Sequence, residues 1–174
     1  MVVVMKKVSE DYMKNVKEAQ KIWQKALVFD VTLGGAMEKM DPSFPIEKVK
    51  IPGIRKWALS LNGVWEGLKV FSKKNEIDST YFFNEKKLGK TRKCKSYGNL
   101  IGVKIGEEVL DVEKGIEEVF VKGYKYLLEN RYDGLMNVIK NAAKEKVVVL
   151  LDYNEDRYPV SHAEMIKDYI NNEM

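Results

Sequence analysis

The stretch "VVVLLDYN", Val147 to Asn154, narrows what this chain can fold into more than any other. Five apolar residues in succession, three of them β-branched, suit a strand buried inside a sheet, and the run ends on Asp152. The other periodicities are helical for the most part. From Ser9 onward, Tyr12, Val16, Ala19, Trp23 and Ala26 recur three or four residues apart with lysines and glutamate between them, the pattern of an amphipathic helix. "ALVFDVTLGG" reads as a second short strand that ends in a turn at Gly34 and Gly35. Asp111 can cap a long helix carrying Val112, Ile116, Val119, Phe120, Gly123, Leu127 and Leu128 on one side. "DGLMNVIKNAAKEK" predicts another, with Leu135, Val138, Ile139 and Ala142 inward. Ser161 and Glu164 have capping-box spacing in "SHAE", so a terminal helix follows.

Two segments break these rhythms. "DPSFPIEKVKIPG" holds Pro42, Pro45 and Pro52, each of which removes a backbone donor, and predicts an ordered loop or a lid. "NEKKLGKTRKCKSYGNLIGVKIG" has glycines at 89, 98, 102 and 106 and apolar residues alternating near Ile101, Val103 and Ile105, which predicts loop and short strand. With 174 residues, 45% of them hydrophobic, the chain can fill one core. The expected fold is therefore α+β, a mainly helical single domain with a few short strands spanning residues 1–174.

Charge and cysteine content exclude more than they assign. Thirty basic and 26 acidic residues give a net charge of +4 with both signs interspersed, which slightly favours an anionic small molecule. Cys94 is the one cysteine, so no intramolecular disulfide can form and no thiolate cluster is available for a metal. "MVVVMKKVSE" is too short for a secretory signal and carries its charges after the apolar run, and no later segment approaches the length of a membrane span. A cytoplasmic protein that needs no metal or cofactor and has no membrane partner is the expectation.

The most informative short stretch is "SLNGVWEGLKVF", Ser60 to Phe71. Drawn as one helix, Leu61, Val64, Leu68 and Phe71 share an arc while Asn62, Trp65, Glu66 and Lys69 share the opposite one. On spacing alone this polar stripe faces water and Trp65 covers a neighbour. Gly63 and Gly67 lie between the arcs. Two glycines on a short helix cost about 1 kcal/mol each relative to alanine, so they predict close approach of another element or of a ligand.

The same string resembles the helix of the NADAR (YbiA-like) N-glycosidase superfamily. There an "S-x-E" start is followed by an aromatic, a glutamine-type position and a lysine seven residues after the glutamate. Lys69 falls on that lysine, Trp65 on the aromatic, Glu66 on the glutamine-type position and Asn62 on the glutamate, where this chain departs from the pattern. The proline segment, the basic segment, the long helix ending "YKYLLENR" and "VVVLLDYNED" follow in the family's order. The resemblance thus covers residues 28–156, with 1–27 an N-terminal helix and 157–174 a C-terminal one. A fuller match is to an uncharacterised branch with "EGIWQGLKVF"-like helices and "LSHA"-like endings. The resemblance implies hydrolysis of a ribose–nitrogen bond in an ADP-ribosyl or phosphoribosyl N-glycoside. It puts Lys69 in the place of the nucleophile; on physical grounds Glu66 or Asp152 is the candidate general acid or base, and Asn62, Trp65, Arg92 and Lys90 are the candidates around the substrate.

A lysine attacking an anomeric carbon must be partly neutral, and burial or a neighbouring cation such as Lys90, Arg92, Lys93 or Lys95 can make it so. A carboxylate can then protonate the leaving nitrogen. Two non-enzymatic alternatives stand beside this reading: a nucleotide- or ADP-ribose-binding module without turnover, and a basic nucleic-acid-associated protein. The segment from Lys86 to Lys95 can contact phosphates, but nucleic-acid readers interleave exposed aromatics with their charges and only Tyr97 follows closely here. His162 reads as a structural or a surface histidine and Cys94 as a bystander, and Asp152 and Tyr153 as either a ligand-facing strand end or a turn cap. Oligomeric state stays open.

Overall fold

The computed structural model describes residues 1–46, 48–93 and 95–173, and it is an α+β fold with small sheets and many helices. By backbone proximity the chain divides into two compact units, one of Met1–Asp41 with Lys125–Met174 and one of Pro42–Tyr124. Among the described residues, no helix is long and apolar enough to cross a membrane.

In the first unit, β1 (Val2–Lys6), β8 (Val148–Asp152) and β2 (Leu27–Asp30) form a parallel sheet in the order β1-β8-β2. Every residue of β8 is buried, as its unbroken apolar run requires of a strand with a neighbour on each side. Helix α1 (Tyr12–Ile22) connects the two outer strands, and its Ala19 packs with Ala26, Val28, Val149 and Leu151. Val148 and Leu150 are left to the opposite face, and α6 (Asp133–Glu145) and α7 (His162–Glu173) pack against β8. Residues 1–27 are thus a strand, a helix and the start of a second strand, where one N-terminal helix is expected. "VVVMK" becomes a strand because β8 pairs with it residue for residue, Val2 opposite Val148 to Lys6 opposite Asp152. The C-terminal helix likewise begins only at His162, after an irregular stretch from Arg157. In α6 the inward face is rotated: Met136, Ile139 and Ala143 are buried while Val138 is 48% exposed.

In the second unit, β5 (Lys69–Phe71), β6 (Leu100–Ile105) and β7 (Glu108–Leu110) form an antiparallel sheet, and β3 (Val49–Lys50) pairs with β4 (Trp57–Ala58). Among its described residues the proline segment carries β3 and is tied down beside it: the Asn62 amide donates to the Pro42 carbonyl at 2.8 Å and the Ile46 amide to the Leu59 carbonyl at 3.0 Å. Asp111 caps α4 (Val112–Gly115) through the Lys114 amide, as its position predicts. The helix then widens into a π-helical segment, Ile116–Val121, and continues as α5 (Lys122–Asn130).

Helix α2 (Leu61–Leu68) is buried at all eight positions. Its glycines do what their cost implies: a Cβ on Gly63 would lie 2.6 Å from the Tyr81 carbonyl oxygen, and one on Gly67 only 2.2 Å from the Phe82 ring. The element that needs a bare backbone is therefore α3 (Thr80–Phe83), not a ligand. Because Phe82 is 1% exposed it cannot swing into solvent, so Gly67→Ala is expected to destabilise by about 1–2 kcal/mol despite its better helix propensity. A urea titration of the single variant measures this, and an unchanged midpoint would mean that α3 shifts freely.

Candidate active site

Ser60 starts α2 by accepting a hydrogen bond from the Gly63 amide at 3.1 Å, and the helix ends at Leu68 without a glycine or proline stop. Lys69 has extended backbone angles and opens β5, paired with Val103, so it does not continue the helix as the periodicity implies. The side chain still reaches back. Its Nζ donates to Glu66 Oε1 at 2.7 Å and stands 5.4 Å from the centre of the Trp65 ring. Asn62, Trp65, Glu66 and Lys69 are 3 to 7% exposed, so the polar stripe lies in the interior and the water-facing arrangement is overturned. The reason is crowding on every side by α3, by the β5–β6 pair and by the π-helical segment, whose Phe120 meets Trp65 edge-on at 6.3 Å. Trp65 is accordingly a packed wall under the lysine and presents no open face for a base.

Burial raises the affinity of the Glu66 carboxyl for its proton. The Lys69 charge and hydrogen bond oppose that effect, as do the Arg92 amide and the Arg92 charge, without cancelling it. The Arg92 amide donates to Glu66 Oε2 at 2.6 Å. The Arg92 guanidinium donates to the carbonyls of Lys69 (2.6 Å), Gly67 (3.3 Å) and Glu76 (2.8 Å), and lies over Phe71 and Tyr97. Arg92 therefore fastens the basic segment to the end of α2 and the start of β5, with no guanidinium edge turned toward a phosphate. Its Nε is buried without an acceptor among the described residues. Lys90, two residues earlier, is exposed. The spacing of the sequence did not bring Tyr81 into this group. Its phenol is raised by burial first and then by the charges of Glu66 and Asp78, so it stands within electrostatic reach of the pair.

A family model described as "Family of unknown function (DUF6939)" matches residues 11–166. The chain belongs to this family. No curated protein and no solved structure matches it. The match extends over Asn62, Trp65, Glu66, Lys69, Lys90, Arg92 and Asp152, all the sequence-derived candidates of this DUF6939 member.

Asp152 belongs to the first unit, at the C-terminal end of β8, whereas the other candidates belong to the second. Its carboxylate accepts from the Ser161 hydroxyl and the Tyr153 amide and lies 3.6 Å from His162 Nδ1 and 3.7 Å from Lys6 Nζ. It ties the strand end to the start of α7, the turn-cap alternative. His162 is fully buried with Nε2 3.0 Å from the Val31 carbonyl, which fits a structural histidine. Ser161 accepts from the Glu164 amide at 3.1 Å, while the Glu164 carboxylate pairs with Lys167. Asp41, a fully buried carboxylate that drew no attention in the sequence, accepts from the hydroxyls of Tyr153 and Tyr158. Burial and the Asp41 charge push the Tyr153 phenol well above its ordinary range. Cys94 lies outside the described residues. Among the described residues, no group of three or more histidine, cysteine, aspartate or glutamate side chains could hold a metal ion.

Proposed function

We propose that this chain hydrolyses the ribose–nitrogen bond of an ADP-ribosyl or phosphoribosyl N-glycoside, with Lys69 as nucleophile and Glu66 as its proton partner. The observation that carries the reading is the buried Glu66–Lys69 pair at 2.7 Å, in which burial strengthens the carboxyl's hold on a proton. The NADAR resemblance of the Lys69 stretch supports it from the side of sequence. The Lys69 ammonium passes a proton to Glu66 and becomes a neutral amine. The amine attacks the anomeric carbon, the carbon–nitrogen bond breaks, and Glu66 returns the proton to the leaving nitrogen. Opening of the ribose ring yields an imine on Nζ. Water hydrolyses the imine, which frees the sugar and restores the amine, so the net reaction consumes one water. Lys90 is one exposed cation of the basic segment available to a phosphate; Arg92 and Trp65 hold the geometry.

The test is a panel of ADP-ribosyl conjugates, NAD and phosphorylated ribosylamino-pyrimidines, with and without sodium borohydride. Base release accompanied by a borohydride-reduced adduct on Lys69 with the mass of the substrate's sugar part, ADP-ribose or ribose phosphate, is expected by mass spectrometry. Turnover that survives in Lys69→Met, or that leaves no adduct, would overturn the nucleophile. A second reading takes the same ion pair as an end in itself: Glu66 already meets the Lys69 charge, and the Arg92 guanidinium serves three carbonyls. Such a site suits a binding module without turnover. A raised melting temperature with one panel member, and no product from any, would support that module.

A further inference from the structure

Positive charge is concentrated in one part of the chain. Between Lys48 and Lys95 there are thirteen lysines and arginines against four acidic residues, although the whole chain carries only +4. Nine of those cations, at positions 48, 50, 55, 56, 73, 86, 90, 93 and 95, are exposed. Of the aromatics that precede the basic segment, Tyr81, Phe82 and Phe83, the fold leaves Phe83 exposed, and it adds Trp57 from β4. Trp57 is 56% exposed on β4, directly across from Lys50 on β3. Phe83 is 46% exposed at the end of α3, which packs on β4, and Lys56 Nζ stands 5.9 Å from the centre of its ring. Phe83 and Lys86 also line an open groove of about 560 Å³, with Ser79, Thr80, Asn84 and Glu85. Tyr97, the aromatic nearest in sequence, is instead packed against Phe71 and Lys74.

We infer that this surface binds single-stranded nucleic acid, with bases stacked on Trp57 and Phe83 and phosphates held by Lys50, Lys56, Lys86 and their exposed basic neighbours. Two exposed aromatic side chains interleaved with cations are the arrangement that holds unpaired bases and a polyanionic backbone together, and it carries no requirement for sequence. A duplex keeps its bases stacked on each other and offers the aromatics nothing. An anionic membrane would satisfy the charges equally, but α3 has only four residues, too few for an amphipathic helix to lie in a bilayer surface.

The experiment is fluorescence anisotropy of labelled single strands of about 20 nucleotides, one RNA and one DNA, titrated with the 174-residue chain at salt concentrations from about 50 to about 200 mM. Binding of either strand is expected, with log Kd rising against log salt at a slope of about 2 to 3, as three or four released counterions require. The stronger of the two strands identifies the natural one. Trp57→Ser and Phe83→Ser, both at exposed positions and checked by thermal melting, are each expected to weaken binding at least about fivefold. Lys50→Glu/Lys56→Glu is expected to weaken it further and to flatten the salt slope. The inference is overturned by no binding at 50 mM salt or by undiminished binding in both serine variants. A preference for duplex, or capture by phosphatidylserine vesicles in place of oligonucleotides, would overturn it too.

Discussion

Lys69→Met is expected to lower stability by about 3–5 kcal/mol near neutral pH, with the loss shrinking on acidification. Methionine keeps most of the volume of the lysine stem, so packing changes little. What changes is that the Glu66 carboxylate, 3% exposed, loses its counter-charge and one hydrogen bond. The groups left facing it are the Arg92 amide and charge, and the phenol of Tyr81. In the wild type the folded-state affinity of Glu66 for its proton already exceeds that of an unfolded glutamate, and Lys69 works against that rise. Without Lys69 the folded value climbs further. Between the unfolded and folded values the native state holds more protons than the unfolded chain, so stability falls as pH rises through that window. Below the unfolded value Glu66 is protonated in both states and the charge penalty disappears. Urea unfolding at pH 5 and pH 8 reads the difference directly. A deficit equal at both values would assign the loss to packing. Glu66→Gln/Lys69→Met is expected to recover most of the loss, because glutamine can still accept from the Arg92 amide and carries no charge.

This pair also marks where local sequence stops informing. The apolar run of β8, the Asp111 cap and the glycine spacing of α2 are legible because each reports a constraint carried by its own residues. A strand with no polar position must be buried, and a glycine in a helix must meet something close. The end of α2 is different. No stop signal follows Leu68, and the helix yields to a strand because Lys69 and Val70 pair with Val103 and Gly102, more than thirty residues away. The same non-local pairing turns "VVVMK" into β1. The polar stripe was misplaced for a related reason. Periodicity separates two faces of a helix but does not say that both will be covered, and α2 is covered on both. The π-helical segment that brings Phe120 onto Trp65 has no signature in the sequence. Trp57 and Phe83 were invisible as a pair because they lie on different elements that meet only after β4 packs on α3.

Arg92→Ala is expected to cost about 3 kcal/mol, and to disturb Glu66 without removing any atom that touches it. The side chain gives charge-assisted hydrogen bonds to three carbonyls, two of them at the junction of α2 with β5. Leaving those acceptors unmet in the interior accounts for the loss, reduced because Nε has no acceptor in the wild type and its burial is relieved. Arg92→Lys is expected to regain less than half, since one ammonium cannot serve carbonyls spread from Lys69 to Glu76. The backbone of residue 92 is what bonds Glu66, and the guanidinium is what keeps that backbone in place. Hydrogen exchange at the residue 92 amide should therefore accelerate in the alanine variant and stay closer to wild type in the lysine variant. If the amide leaves, Glu66 loses one of the groups that restrain its proton affinity, and the Arg92 charge goes with it. The acid limb of any riboside-cleavage profile then moves to higher pH in Arg92→Ala. Slow exchange retained at that amide would mean the clasp is redundant, and that the chain around Glu66 is held by its own packing.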